Sequence, residues 1–214
     1  MTATKPVVDA DRRPRREVIL DCAARLFAER GYEGTTLSDL AEAASIAKAT
    51  LFHYFSTKEK ILFELYNHAV GTGLDTVRSV KANTDPEVEL RAMLREHALA
   101  IMRNERLYQI FFSEEKGLEP GHLEIIRAQE VAYLNLVAER VRALQLKKRV
   151  AGTVHPRVAA QVMLGIGSWT YRWFDPTGPL DMEDIADFAQ DLAVRGLLGT
   201  TNHADRSTGP HPGR

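Results

Sequence analysis

TLSDLAEAASIAKATLFHYFSTKEKI, residues 36–61, predicts two short helices joined by a tight turn, with another helix following at once. Leu37, Leu40, Ala41 and Ala44 fall at i, i+3, i+4 and i+7 and form one apolar face, and Thr36 with Asp39 forms an N-cap pair. After Ser45 and Ile46 the chain restarts over residues 47–54. At 100° per residue Ile46, Ala47, Leu51 and Tyr54 turn inward, while Lys48, Ala49, Phe52 and His53 share the opposite face. A solvated face normally carries Glu, Lys and Gln. This one carries a cation, a methyl, a phenyl ring and an imidazole, a mixture suited to base edges. A helix of roughly eight residues is about 12 Å long, comparable with the ~12 Å width of the DNA major groove. Lys48 can reach guanine acceptors or a phosphate, Ala49 and Phe52 can pack on thymine methyls, and His53 can donate to a base or phosphate, with Thr50 contributing from the edge. Thr36 belongs to the same DNA-contacting set, and the Tyr54 hydroxyl reaches either a phosphate or the core. Phe55 is a core plug. Ser56, Thr57, Lys58 and Glu59 read as a capping box whose free N–H groups, beside the Lys58 ammonium, form a phosphate clamp.

Over residues 18–65 the chain resembles the TetR family of transcriptional regulators, in ILDCAARLFAERGYEGTTLSDLAEAA, the turn, ATLFHYF and STKEKIL. A block this long is more specific than a bare helix-turn-helix pattern. Three departures from the family pattern carry physical expectations. Ser45 stands where glycine is usual, so a non-glycine residue takes a left-handed conformation. Ala47 stands where Ser or Thr is usual, so one N-cap hydrogen bond is missing. Phe52 stands where Tyr is frequent, so apolar packing replaces a hydroxyl contact. The resemblance implies an all-helical protein that dimerises through a four-helix arrangement of its last two helices.

Outward toward the N-terminus, a first helix runs from residue 14 or 15 to Arg30, and Gly31 stops it with a left-handed cap. Its stripe of Val18, Ile19, Cys22, Ala23, Leu26 and Phe27 makes Cys22 a buried core thiol, and a single cysteine forms no internal disulfide. In the first sixteen residues Lys5, Arg12, Arg13, Arg15 and Arg16 oppose Asp9 and Asp11, leaving +3. This basic arm either lies along DNA or only solubilises the chain. Toward the C-terminus, the fourth helix continues through Ile61, Leu62, Leu65, Tyr66, Ala69 and Val70 and so links the two halves of the molecule.

From residue 85 the pattern is helical, without the β-branched alternation of a strand. Asp85, Pro86 and Glu87 cap a helix that ends near Arg103, a short one spans residues 107–112, and a long one carries Leu123, Ile126, Val131, Leu134, Val137, Val141 and Leu144 inward. The next helix, residues 156–174, is apolar nearly all round, so a partner should cover part of it. Gly165 and Gly167 favour the close approach of another helix there. With Ile185, Phe188, Ala189 and Leu192 of the last helix it forms a self-complementary dimer surface. Tyr66, Met102, Phe111, Phe112, Tyr133 and Trp169 are the large, adaptable side chains expected to line an apolar ligand cavity. The block WTYRWFDPTGPLDMEDIADFAQDLAVRGLL is similar to the C-terminal region of a TetR subset associated with acyl-CoA and fatty-acid or sterol breakdown.

The 214 residues carry a net charge of −1, so any surface for nucleic acid has to be local. With 44% hydrophobic and 27% charged residues the class is soluble globular, the charge-free run over residues 158–171 falls short of a membrane span, and the N-terminus has no signal-peptide core. Cytoplasmic placement follows as an expectation. There is no HExxH, no CxxC and no phosphate loop, and GIGSW lacks the strand of a nucleophile elbow. Glu114 and Glu115 read as solvated, and Glu64 with His68 as an ordinary helix pair. The expected architecture is all-α with about nine helices. Residues 1–14 form a disordered basic arm, 15–60 the helix-turn-helix domain, 61–198 the effector-binding and dimerisation domain, and 199–214 a disordered tail. The function expected is that of a homodimeric transcriptional regulator, a repressor released from a palindromic operator by a small apolar or acyl-type effector, with no catalytic residue, metal or cofactor. The alternative is a constitutive DNA-binding protein controlled by a protein partner.

Overall fold

In the computed structural model, residues 14–200 are described; the arm of residues 1–13 and the tail from residue 201 lie outside the described residues. Nine α-helices run through this span, with no strand among the described residues. Three of them build the head: α1 (Arg15–Arg30), α2 (Leu37–Ala43) and α3 (Lys48–Tyr54). Ile19, Ala23, Leu26 and Phe27 recur at helical spacing, so α1 lays one buried stripe against Leu40 and Ala41 of α2 and Leu51 of α3. Cys22 is only half-buried at the edge of this stripe, because the buried face centres on Ala23 and Leu26.

Gly31 ends α1 with φ 76° and ψ 160°. The positive φ was expected, but the extended ψ means that the chain leaves the helix directly instead of curling through a left-handed turn. Thr36 accepts from Asp39 N, while the Asp39 carboxylate accepts from Thr36 N at 2.8 Å, a complete capping box on α2. Between α2 and α3, Ser45 adopts φ 54°. Ala47 offers no side-chain cap, as the sequence indicates.

The long α4 (Lys58–Ser79) starts from Thr57, whose hydroxyl accepts from Lys60 N at 3.1 Å. The capping box expected between Ser56 and Glu59 does not form: the cap falls one residue later as a one-way bond to Thr57, and Glu59 is free to turn into the protein, where it is buried. Along α4 the stripe Ile61, Leu62, Leu65, Tyr66, Ala69, Val70, Leu74 and Val77 is buried over the whole length of the helix. Glu64 pairs with Arg16 rather than with His68.

The body consists of α5 (Pro86–Arg103), α6 (Glu105–Ser113), α7 (Pro120–Leu146), α8 (Pro156–Ser168) and α9 (Met182–Leu198). Pro at N1, with Asp85 accepting from Glu87 N, starts α5 where the sequence places it. Leu90, Leu94, Val137, Val141, Leu144, Ala160 and Val194 knit α5, α7, α8 and α9 into a second core. Arg91 and Arg95 pair with Asp191 and Asp187, so α5 and α9 are also matched in charge. In α7 Val131, expected inside, is exposed, whereas Ile126, Val137, Val141 and Leu144 are buried. The helix expected over residues 156–174 stops at Ser168 and tightens into a 3-10 turn (Trp169–Arg172), which rotates the residues that follow away from the α8 register. Gly167 does allow a close helix approach, but within the same chain: a Cβ there would lie 3.0 Å from the His97 ring and 3.4 Å from Ala98 Cβ of α5.

Candidate nucleic-acid interface and effector cavity

The outward face of α3 is built as its spacing requires. Lys48, Ala49, Thr50, Phe52 and His53 are all exposed, and Leu51 is fully buried beneath them. Phe52 keeps 45% of its surface in solvent although the head has a core that could have taken it. Two residues expected to turn inward do not. Ala47 precedes the first helical turn, and Tyr54 ends the helix; both are exposed, and the Tyr54 ring stands edge-on to His53 at 5.5 Å. Phe55 takes the inward position instead, under the Arg16 guanidinium at 5.2 Å from its ring centre.

Two residues of the expected DNA-contacting set have their polar groups committed to the protein. The Thr36 hydroxyl donates to Asp39 Oδ2 at 2.6 Å while accepting from Asp39 N at 3.2 Å. Asp39, held by these bonds, lies below the usual carboxylate range. Lys58, read from the sequence as a phosphate clamp, donates Nζ to the carbonyls of Tyr32 at 2.8 Å and Thr35 at 3.0 Å, and lies over the Tyr32 ring at 4.1 Å. Its ammonium ties down the loop between α1 and α2, with two carbonyls and the Tyr32 ring taking the place of part of its water shell.

The head is tied to the body by contacts that the sequence does not announce. Tyr32 N donates to Glu114 Oε1 at 3.3 Å, so Glu114 is not simply solvated. A Cβ on Gly117 would fall within 3 Å of both Leu62 and the Tyr32 ring, so only glycine lets this turn (Glu115–Gly117) press on the head. Glu59 Oε1 accepts from Glu119 N at 3.2 Å and from His122 Nδ1 at 2.7 Å, and the His122 ring stacks on Phe63 with centres 3.9 Å apart. The ligand atoms of Glu59, Glu119 and His122 lie within 4.8 Å of one another, a donor set of metal-ligand type, but the direct hydrogen bond between His122 and Glu59 already satisfies the buried carboxylate. The cluster therefore acts as a polar latch from α4 to α7.

Beyond the latch, α4, α5, α6, α7 and α8 enclose a cavity of about 390 Å³. Its inner wall is Ala69, Val70, Gly73, His97, Tyr108 and Leu164; Phe112, Arg127, Glu130, Val131 and Gln161 form the exposed rim. Of the six residues expected to line a cavity, Phe111, Phe112 and Tyr133 do so. Tyr66 lines a smaller adjoining space of about 190 Å³ with Phe111, Phe112 and Ile126, and its hydroxyl donates to Ile110 O at 3.1 Å. Met102 lines neither space, since it packs with Leu99, Phe174 and Ala186 between α5 and α9. Trp169 lies on the outer surface, because the 3-10 turn carries it out of the α8 register. His97, Tyr108, Ser168 and Gly73 were missed; a histidine or tyrosine in an apolar helix stripe signals only burial. Burial holds the His97 imidazole down to about 4 and pushes the Tyr108 phenol up to about 12, so both are neutral at physiological pH.

A separate apolar surface covers α8 and α9, where Val158, Val162, Trp169, Trp173, Phe188 and Leu192 are all exposed. Gly165, lying between Val162 and Trp169 in the chain, has no atom within 4 Å of where its Cβ would be. Among the described residues no helix is long and apolar enough to cross a membrane.

Residues 19–65 match the family of bacterial regulatory proteins named for tetR, and residues 83–197 match the tetracyclin repressor-like C-terminal domain. The chain is 26% identical over 197 residues to the transcriptional repressor KstR2 of Rhodococcus jostii, covering 88% of this chain and 93% of that protein. Among solved structures it is similar to PfmR of Thermus thermophilus, with 31% identity, 84% of this chain and 98% of that chain covered, and a TM-score of 0.77. It is also similar to AibR crystallised with isovaleryl coenzyme A and operator DNA, with 32% identity, 84% and 97% coverage, and a TM-score of 0.75.

Proposed function

The chain belongs to the tetR family of bacterial regulatory proteins, and from that premise we propose that it is a homodimeric repressor, released from a palindromic operator by a small apolar or acyl-type effector. The observation that carries this reading is the double duty of α4. Its N-terminus follows α3 directly, packs on α1 and holds the α1–α2 loop through Lys58, and Ala69, Val70 and Gly73, about three to four turns further on, form a wall of the cavity. A molecule that packs against this wall acts on the same rigid rod that positions the head.

In this reading residues 15–60 bind DNA and residues 61–198 bind the effector and the second protomer. Lys48, Ala49 and Phe52 read bases, Thr50 and His53 contribute from the edge, and Tyr54 holds a phosphate; Thr36 and Lys58 position the loops that carry them. The exposed apolar face of α8 and α9 supports dimerisation, which brings two recognition helices to successive major grooves about 34 Å apart. A tilt of α4 changes that spacing and misplaces one helix. AibR, which binds isovaleryl coenzyme A, makes an acyl thioester the first effector class to test. The volume of about 390 Å³ is near the lower end of the ~300–1,000 Å³ typical of ligand pockets, which suits a short acyl group with Arg127 facing its anionic remainder at the rim. Operator DNA as the partner places this activity in the cytoplasm.

The test is to titrate hexanoyl-coenzyme A and free hexanoic acid into the protein with and without operator DNA, after a thermal-shift screen. A ligand specific to the folded state, at 100 times its Kd, stabilises by about 2.7 kcal/mol. Coupling is reciprocal, so operator should weaken the ligand by the same factor by which ligand weakens the operator, typically ~5- to 150-fold. Equal ligand affinity in the two titrations would eliminate ligand-driven release and favour control by a protein partner.

A further inference from the structure

The innermost polar groups of the cavity have their protons already assigned. His97 Nε2 lies 3.1 Å from the carbonyl oxygen of Leu164. A carbonyl only accepts, so Nε2 carries the imidazole proton, which it shares with Ser168 Oγ at 3.1 Å. Nδ1 is then a bare acceptor, and the Tyr133 hydroxyl 2.6 Å away must donate to it. Tyr108 is committed in the same way, its hydroxyl donating to the Ala69 carbonyl at 3.1 Å. Gly73 separates the two phenols: a Cβ there would lie 3.5 Å from both Tyr108 Oη and Tyr133 Cε2. Gly73 therefore lies in the cavity wall beside both phenol rings.

Each phenol oxygen has thus spent its only proton on the protein and keeps lone pairs, on two residues that line the ligand space. His97 cannot reverse this at physiological pH, because burial keeps it neutral. Nor can the phenols ionise, since burial raises Tyr108 and Tyr133 alike. The two phenol oxygens can only accept, Ser168 Oγ–H is the donor beside them, and the remaining inner wall, Ala69, Val70 and Leu164, is apolar.

We propose that the effector carries a hydroxyl group on its buried portion, donated to the paired oxygens of Tyr133 and Tyr108, so that the ligand class is a hydroxylated acyl compound rather than a saturated or keto one. A ligand hydroxyl both donates to the phenol oxygens and accepts the proton that Ser168 Oγ keeps after accepting from His97 Nε2. A methylene does neither, and a keto oxygen meets the Ser168 proton but sets a further acceptor against the phenol oxygens, so each matches the floor less completely. This inference rests on the acyl-effector reading but is separable from it.

The experiment compares hexanoyl-coenzyme A, its 3-hydroxy and 6-hydroxy forms and 3-oxohexanoyl-coenzyme A by calorimetric titration of the full chain, with the free acids as a second series. The result expected is that at least one hydroxylated probe binds roughly tenfold tighter than the saturated one and more tightly than the keto probe. Tyr133→Phe should bring the hydroxyl-to-saturated affinity ratio close to one. Tyr108→Phe, which within the protein loses only the Ala69 contact and removes the second acceptor, should lower the ratio partway, and it keeps the test valid if Tyr133→Phe unfolds. Equal binding of all four probes, or preference for the keto one, overturns the hydroxyl assignment while leaving the acyl reading intact. Binding of none, as thioester or free acid, overturns both.

Discussion

Both ends of the molecule expose aromatic rings, but in different company. On α3, Phe52 and Tyr54 stand among Lys48, Thr50 and His53, on a helix of only seven residues. On α8, the 3-10 turn after it and α9, Val158, Val162, Trp169, Phe188 and Leu192 are all exposed, and Gly165 of α8 opens on free space. A nucleic-acid partner presents phosphates, donors, acceptors and methyls, and the first face answers with one group for each. A second copy of the same chain presents the same apolar patch in reverse, and the second face needs nothing but shape. Exposed apolar rings alone do not separate the two partners proposed; the residues around them do.

The comparison breaks most violently at the second face. Phe188, 70% exposed, is predicted to be buried against the other protomer, so Phe188→Arg should place two unpaired guanidinium groups in that interface. Sedimentation should then show monomers, and operator affinity should fall by at least about a hundredfold because the two half-sites no longer bind as one. Far-UV circular dichroism should stay unchanged. A variant that remains dimeric would assign this surface to another partner.

The first face gives the next largest effect. Phe52→Ala should cost on the order of 1–3 kcal/mol on the preferred operator and less on random DNA, with the dimer intact. Competition binding against both DNAs measures this directly. Equal losses on the two would remove Phe52 from the reading set.

How much of this was legible beforehand follows from the range of the interactions. The head could be read from the sequence because i, i+4 stripes, the Thr36 and Asp39 box and the left-handed Ser45 are local in the chain. The latch could not. Lys58 meets Tyr32 across 26 residues and Glu59 meets His122 across 63, and no local periodicity encodes either. In the cavity, residue type identified the aromatics but not the side of the helix each occupies. Trp169 failed because the α8 rotation was extended through a 3-10 turn, and Met102 because α5 is buried on more than one side. His97 could not be told from an ordinary core histidine until Leu164 O fixed its proton.

Lys58 sharpens the comparison from within the head, as a cation beside the DNA face whose ammonium serves the fold. Lys58→Met keeps the alkyl stem but removes the bonds to the Tyr32 and Thr35 carbonyls, so it should lower stability by about 1–2 kcal/mol in denaturant titration. The salt dependence of operator binding should change little. A slope reduced by about 0.9 per subunit would return Lys58 to the phosphate contacts.

The smallest effect belongs to the joint between the two regions. Tyr66 is buried in α4, and its hydroxyl donates to Ile110 O, which also accepts from Glu114 N at 2.9 Å. Removing the hydroxyl therefore does not orphan the carbonyl, and Tyr66→Phe should cost no more than about 1 kcal/mol of stability. The bond nevertheless ties α4 to the helix that carries Phe111 and Phe112 to the cavity, and Glu114 at the end of that helix holds Tyr32 of the head. The Tyr66 bond is one of two hydroxyl bonds between these helices, the other running from Tyr108 to Ala69 O, and losing one of the two lets a ligand displace α6 with less tilt of α4. In Tyr66→Phe, operator affinity without ligand should stay within a few fold, while the ratio of ligand affinities with and without operator should move toward one. An unchanged ratio would mean that the shared wall at Ala69, Val70 and Gly73 carries the signal alone.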